Sequence, residues 1–178
     1  MTDTPAISDH WGKGDVYSRI LDTMELAGID PNSVTVEQLA PVDHFHARGF
    51  PATVELADVL PIKEGDCLID IGCGLGGPAR YLAKRFKCDI DGIDITAPFV
   101  DAANKLSVLV GMEGAVECRH GDGQKLPYGD ETFDGGFTQI LAWLRWGWEH
   151  GFSTEVWTGS LETLLSMSFA RTATCVYC

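Results

Sequence analysis

Basic residues are scarce in this sequence. Its 178 residues include 13 Lys and Arg against 26 Asp and Glu, a net charge of −13. An acidic balance of this size repels phosphate backbones, so no nucleic-acid partner is expected. Long apolar runs are missing as well. The longest, Ile140 to Leu144, is far short of the roughly 20 residues that span a bilayer, so no membrane partner is expected. Met1 to His10 has neither the basic nor the apolar region of a secretory leader, and the expected location is cytoplasmic. The cysteine pattern lacks a metal signature. Six cysteines are scattered, and the C-x-x-C of Cys175 and Cys178 has no second ligand pair, which His150 alone does not supply. No metal site is expected. Internal repeats and low-complexity tracts are also absent. What remains is ordinary: 45% hydrophobic and 22% charged residues, enough for one domain that hides roughly two-thirds of its unfolded surface.

A second deficit is local. Residues 140–178 contain no Asp, no Lys and no Pro, yet hold Trp143, Trp146, Trp148 and Trp157 of the five tryptophans. The composition changes near residue 140.

Upstream of that break the chain is patterned. Asp15 is expected to cap a helix with Val16, Ile20, Met24 and Ala27 on one face, ended by Gly28. Thr35 and Gln38 have capping-box spacing for a short helix stopped before Pro41. Pro51 suits the first turn of a third helix, with Val54, Ala57 and Leu60 on its apolar side. After residue 61 the period changes. Cys67 to Ile71 is a short, mostly apolar run, as in a strand buried on both faces. A glycine-rich turn and a helix over Pro78 to Phe86 follow. Asp89 to Ile93 is expected as a second strand. Thr96 is expected to cap a helix bearing Phe99, Ala102, Ala103, Leu106 and Val110. Ala115 to Arg119 and Thr132 to Thr138 are expected as the third and fourth strands. This alternation predicts an α/β parallel sheet with right-handed crossovers.

The stretch Asp70-Ile-Gly72-Cys-Gly74-Leu-Gly76-Gly77 carries the chemistry. Its glycines allow a sharp turn and bring backbone N–H groups against a ligand. Two patterns overlap here. Gly72, Gly74 and Gly77 satisfy the dinucleotide spacing G-x-G-x-x-G. Gly72, Gly74 and Gly76 satisfy another, an acid followed by alternate glycines. Asp70 would oppose a pyrophosphate and suits an ammonium group. Asp94 closes the second strand, where an acid can take both hydroxyls of a ribose. Asp122 follows the third strand, where a carboxylate can accept from an adenine amino group. The three acids together suit an adenosine with a cationic amino-acid tail.

These segments, LIDIGCGLGG, GIDIT and HGDGQKLPYGDETFDGGFTQ, resemble the motifs of class I S-adenosylmethionine-dependent methyltransferases. GCGLGGPARYLAKRF with GIDIT is most similar to the sarcosine/dimethylglycine N-methyltransferase group. The resemblance implies a Rossmann-like parallel sheet, with S-adenosyl-L-methionine as cofactor and a small-molecule methyl acceptor such as glycine, sarcosine or dimethylglycine. It also implies roles. Asp70 would hold the methionine ammonium, and Gly72, Gly74 and Gly76 would pass the methionine and ribose, with Cys73 a small filler between them. Asp94 would bind the ribose hydroxyls and Ile95 would pack on the adenine. Asp122, with Gly123 and Gln124 in its turn, would bind the adenine amino group. Gln139 would lie near the transferring methyl. No catalytic residue is named, because an in-line displacement from a sulfonium asks mainly for alignment. The plainer readings stay beside these: Asp94 as a strand-end turn residue, Asp122 as an Asx-turn, Gln139 as structural, His120 as a strand end. His44 and His46 are expected at the surface or as caps, in a region that can also cover substrate.

The expected organisation is a helical segment over 1–50, the cofactor-binding core over 51–139 and an atypical Trp-rich tail over 140–178. In the family the fourth strand leads to a helix and an L-K-P-G turn, and neither follows here. The C-terminal half is therefore expected to be incomplete, through a frameshift or splice end, leaving a sheet edge uncovered and open to homodimer contact. The competing expectation is a tail helix through Trp157, Leu161, Leu164 and Leu165 that covers the edge. Three functions are carried forward: methyl transfer, a non-catalytic cofactor-binding fragment, and nicotinamide-dependent oxidoreduction.

Overall fold

A computed structural model of the chain describes residues 15–44, 48–139 and the strand at 155–157. Three helices lead: α1 (Val16–Leu26), α2 (Val36–Asp43) and α3 (Gly49–Val59). Then β1 (Cys67–Ile71), α4 (Gly77–Phe86), β2 (Asp89–Asp94), α5 (Ala97–Leu109), β3 (Val116–His120) and β4 (Gly135–Thr138) alternate, and β5 (Glu155–Trp157) closes the order. The sheet runs β3-β2-β1-β4-β5. The first four strands are parallel, with Ile69 beside Asp91 on one side and Gly136 on the other. The order reverses direction at β1, so the carboxyl ends of β1 and β4 flank a switch-point crevice, with the end of β2 beside it.

The local chemistry explains the elements. Asp15 caps α1 by accepting from the Ser18 N–H. The capping box at α2 is complete, since Gln38 N–H donates to Thr35 Oγ1 and Thr35 N–H donates to Gln38 Oε1. In α3 the buried residues are Thr53, Leu56 and Ala57; Ala57 lies inside as expected, Leu60 packs against the core, and Val54 is half-buried at the margin of the face. Helix α2 does not stop before Pro41 but runs through it to Asp43. Proline removes one backbone bond there, while buried Leu39, Ala40 and Asp43 hold the last turn in place. Strand β1 is buried on both faces, with Ile69 fully covered and Leu68 and Ile71 nearly so. Each such side chain contributes about 1.5–3 kcal/mol.

The leading helices are part of this core. Ile20, Met24, Val34 and Leu39 pack with Leu75 of the glycine turn and with Ala102 and Leu106 of α5. Helix α3 runs through residue 50.

The outer edge of β4 is not uncovered. β5 pairs with it antiparallel, with Phe137 opposite Val156. Unpaired strand groups need partners, and residues 155–157 supply them as a strand, where a helix was expected at Trp157. The opposite edge, β3, exposes Glu117, Arg119 and His120, charged side chains of the kind that discourage edge pairing. Leu161, Leu164, Leu165, His46, His150, Cys175 and Cys178 lie outside the described residues. Among the described residues no helix is long and apolar enough to cross a membrane, and no cluster of three or more His, Cys, Asp or Glu is placed to hold a metal.

Candidate functional site

The glycine turn joins β1 to α4 and docks on the end of β2. Gly72 and Cys73 N–H groups donate to Ile93 O at 2.8 and 3.2 Å, and Gly76 N–H donates to Cys73 O at 2.8 Å. Gly72, Gly74 and Gly76 have φ of +81°, +53° and +74°, a region where a side chain is strained. Their surroundings differ. A Cβ on Gly74 would meet nothing within 4 Å, so this glycine borders open space. A Cβ on Gly76 would lie 3.0 Å from Arg80 Nη1. A Cβ on Gly77 would lie 2.6 Å from the backbone oxygen of Asp43 and 2.7 Å from both Asp43 Oδ1 and His44 Nδ1. Gly77, the last glycine of the dinucleotide spacing, thus faces α2 and not a ligand.

Two carboxylates stand at the crevice and a third lies just past it. Asp70 on β1 is buried; burial first, then the charge of Asp94, pushes its carboxyl well above the usual range. Among the described residues no positive charge offsets this, and a cation at the carboxyl would favour its ionised form. Asp94 ends β2. Its Oδ2 accepts from Gly74 N–H at 2.9 Å and its Oδ1 from Thr96 N–H at 2.8 Å. The strand-end turn role is therefore real, and it also aims the carboxylate at the glycine turn. Asp122 lies two residues past β3, and Gly121 N–H ties that strand end to Asp94 O. Its Oδ1 accepts from Gln124 N–H at 2.9 Å, an Asx-turn. Gly123 is half-buried and Gln124 exposed in the same turn. Ile95 is half-buried, and its carbonyl lies 3.1 Å from His120 Nε2. Cys73 fills the space over Gly92, whose Cβ would come within 2.7 Å of its sulfur. A hydrogen bond with Cys118 and burial raise the Cys73 thiol well above its ordinary value, as suits a filler and not a nucleophile.

Gln139, just past β4, accepts from Thr53 Oγ1 at 3.2 Å. Its Nε2 is buried with no partner. An unpaired buried donor is costly, and a ligand oxygen would relieve it.

The sequence pattern did not reveal the group beneath the turn. Arg80 is wholly buried, with Nη2 donating to Asp43 Oδ2 at 2.9 Å and to Leu75 O, and Nη1 to Ala103 O at 3.0 Å and Ser107 Oγ at 3.2 Å. His44 is buried as well, its Nδ1 2.7 Å from Asp43 Oδ1. Of its two expected places, surface and cap, the surface one is corrected: His44 is the C-cap of α2, its N–H donating to Ala40 O, while Asp43 draws its ring inward and Phe50 packs edge-on against it. The available signal was an arginine among Ala79, Leu82 and Ala83 on the buried stripe of α4.

Residues 69–144 match the methyltransferase domain family. The chain is 37% identical over 86 residues to phosphoethanolamine N-methyltransferase 3 of Arabidopsis thaliana, covering 48% of this chain and 17% of that protein. It is 32% identical over 129 residues to 27-O-demethylrifamycin SV methyltransferase of Amycolatopsis mediterranei, covering 69% of this chain and 44% of that protein. The chain therefore spans less than half the length of either relative. Among solved structures, a geranyl diphosphate methyltransferase superposes with a TM-score of 0.55 at 23% identity, over 76% of this chain and 55% of that one. The family match ends just past Gln139, and the parallel sheet is of the Rossmann-like class I arrangement.

Proposed function

We propose that this chain, whose central segment belongs with the methyltransferase domains, binds S-adenosyl-L-methionine and transfers its methyl group to a small molecule. The observation that carries the reading is the placement of Asp70 and Asp94 toward the carboxyl ends of adjacent parallel strands, with the glycine turn bonded to Asp94 through Gly74 N–H. The residues fit such a cofactor. Asp70 is a buried acid with no cation beside it among the described residues, and Gly74 borders open space that its missing side chain leaves free.

When bound, the cofactor supplies a methyl group on a cationic sulfur. The chain supplies placement. Asp70 would bind the ammonium, and the turn at Gly72, Gly74 and Gly76 would pass the methionine and ribose. Asp94 would accept from the ribose hydroxyls with lone pairs its two backbone donors leave free. Ile95 would cover one adenine face, and Asp122, Gly123 and Gln124 would meet the adenine edge. Gln139 Nε2 would donate near the methyl group. Holding reactants in line can contribute about 7–11 kcal/mol, which is why no strong base is required of this site.

The acceptor is a small amine in this reading, such as glycine, sarcosine or dimethylglycine. The likeness to a phosphoethanolamine N-methyltransferase supports an amine, while the rifamycin relative is named for a different acceptor. A second reading, cofactor binding without catalysis, draws on the composition change near residue 140, since every residue assigned to the cofactor lies before it. Titration calorimetry with S-adenosyl-L-methionine tests the binding, with a nicotinamide dinucleotide as the counter-ligand. Methyl transfer to the three amines then separates the enzyme from the binding fragment. Saturable heat with the dinucleotide alone would overturn the cofactor assignment.

A further inference from the structure

Arg80 and its partner Asp43 both have side chains with no exposed surface. Arg80 touches no part of the crevice that faces solvent. One guanidinium instead joins three parts of the fold: the end of α2 through Asp43, the glycine turn through Leu75 O, and α5 through Ala103 O and Ser107 Oγ. The Leu75–Gly76 peptide is thereby held at both ends, its carbonyl by Arg80 and its N–H by Cys73 O. A planar peptide gripped at both ends cannot rotate. Gly76 adds an independent observation, because Arg80 Nη1 packs so close that a Cβ there would stand 3.0 Å from it, tighter than an ordinary contact.

We propose that Arg80 is a positioning residue for cofactor binding, a clamp that sets the plane of the glycine turn from beneath and couples it to the leading helices through Asp43. The inference rests on the proposed function, since what is positioned is the cofactor-facing turn. Lysine can keep the charge pair with Asp43, but a single ammonium cannot reach four acceptors spread over three elements in fork geometry. Arg80→Lys therefore retains the link to α2 and releases the turn.

Calorimetry with S-adenosyl-L-methionine is run on the full chain and on Arg80→Lys, each checked by thermal unfolding. The expected result is a folded variant with Kd raised about tenfold, the equivalent of one charge-assisted hydrogen bond. A folded variant with a lowered Tm and an unchanged Kd shows a merely structural arginine and overturns the proposal. If Arg80→Lys does not fold, Asp43→Asn takes its place. It keeps an acceptor for Nη2 and loosens the clamp, so Kd is again expected to rise, and an unchanged Kd again overturns the proposal. Failure of the unmodified chain to bind the cofactor overturns the functional reading itself, and with it the role assigned to Arg80.

Discussion

Thr53 donates a hydrogen bond of 3.2 Å to Oε1 of Gln139, across 86 residues of chain. The bond joins a leading helix to the end of a central strand. It also orients the Gln139 amide, whose Nε2 is buried without a partner just past the carboxyl end of β4, the strand beside β1. Thr53→Val keeps the shape and removes the donor, so Gln139 Oε1 loses this partner. Chemical denaturation should show a loss of about 1–3 kcal/mol. Weaker S-adenosyl-L-methionine binding should accompany it, measured by calorimetry. Stability unchanged within error would mean that the pair does not hold the amide.

Asp94→Ala should weaken cofactor binding far more than it weakens the fold. The side chain is half-buried and serves two backbone donors, Gly74 and Thr96. Those donors can turn to water, whereas ribose hydroxyls would lose a charged acceptor. About 1.5–3 kcal/mol per such bond corresponds to a rise in Kd of roughly tenfold to over a hundredfold. Calorimetry reads this directly, and a change below threefold would remove Asp94 from the cofactor site.

Asp70 should trade stability for binding. Burial and Asp94 raise its pKa in the folded chain. A group raised on folding contributes stability below its unfolded pKa, and loses it as pH climbs through the folded value. Asp70→Asn should therefore stabilise the empty protein at neutral pH, seen as a higher Tm, while weakening binding of a cationic ligand. In the unaltered chain, binding should release protons and weaken as pH falls through the raised pKa. Calorimetry in buffers of different ionisation heat measures the proton count. Proton-neutral binding at every pH would show that the carboxyl does not ionise to meet the ligand.

The legible parts of this protein were those set by local chemistry. β1 runs over Cys67–Ile71 as read, because a short apolar run before a glycine turn has few other outcomes. The Asp15 cap and the Thr35–Gln38 box are equally local. Three features depended on partners distant in sequence. Pro41 stays inside α2, His44 is drawn into the core beside Asp43, and Arg80 is buried where it meets Asp43 across 37 residues. No period or propensity encodes that meeting. The carboxylate and glycine spacing was visible because it lies on consecutive strand ends. The division of labour among the glycines was not, since spacing alone does not tell which one faces a ligand and which one faces α2.

That division gives the sharpest pair of variants. At Gly77 the obstacle is protein: an alanine methyl would press within 2.7 Å of the Asp43 backbone oxygen and side chain, where α2 is tied to Arg80. Backbone cannot give way as a flexible side chain can, so Gly77→Ala should destabilise the fold by about 1–3 kcal/mol. At Gly74 the obstacle is absent, and the cost to the fold is limited to a left-handed backbone, about 1–2 kcal/mol. The new methyl would instead enter the open space that the cofactor is proposed to fill. Gly74→Ala should thus lose S-adenosyl-L-methionine binding while the chain still unfolds cooperatively. Gly77→Ala should lower Tm while the molecules that remain folded keep their affinity. Thermal unfolding and calorimetry on the two proteins decide the matter. If Gly74→Ala binds as tightly as the unaltered chain, the open side of the turn is not where the cofactor lies.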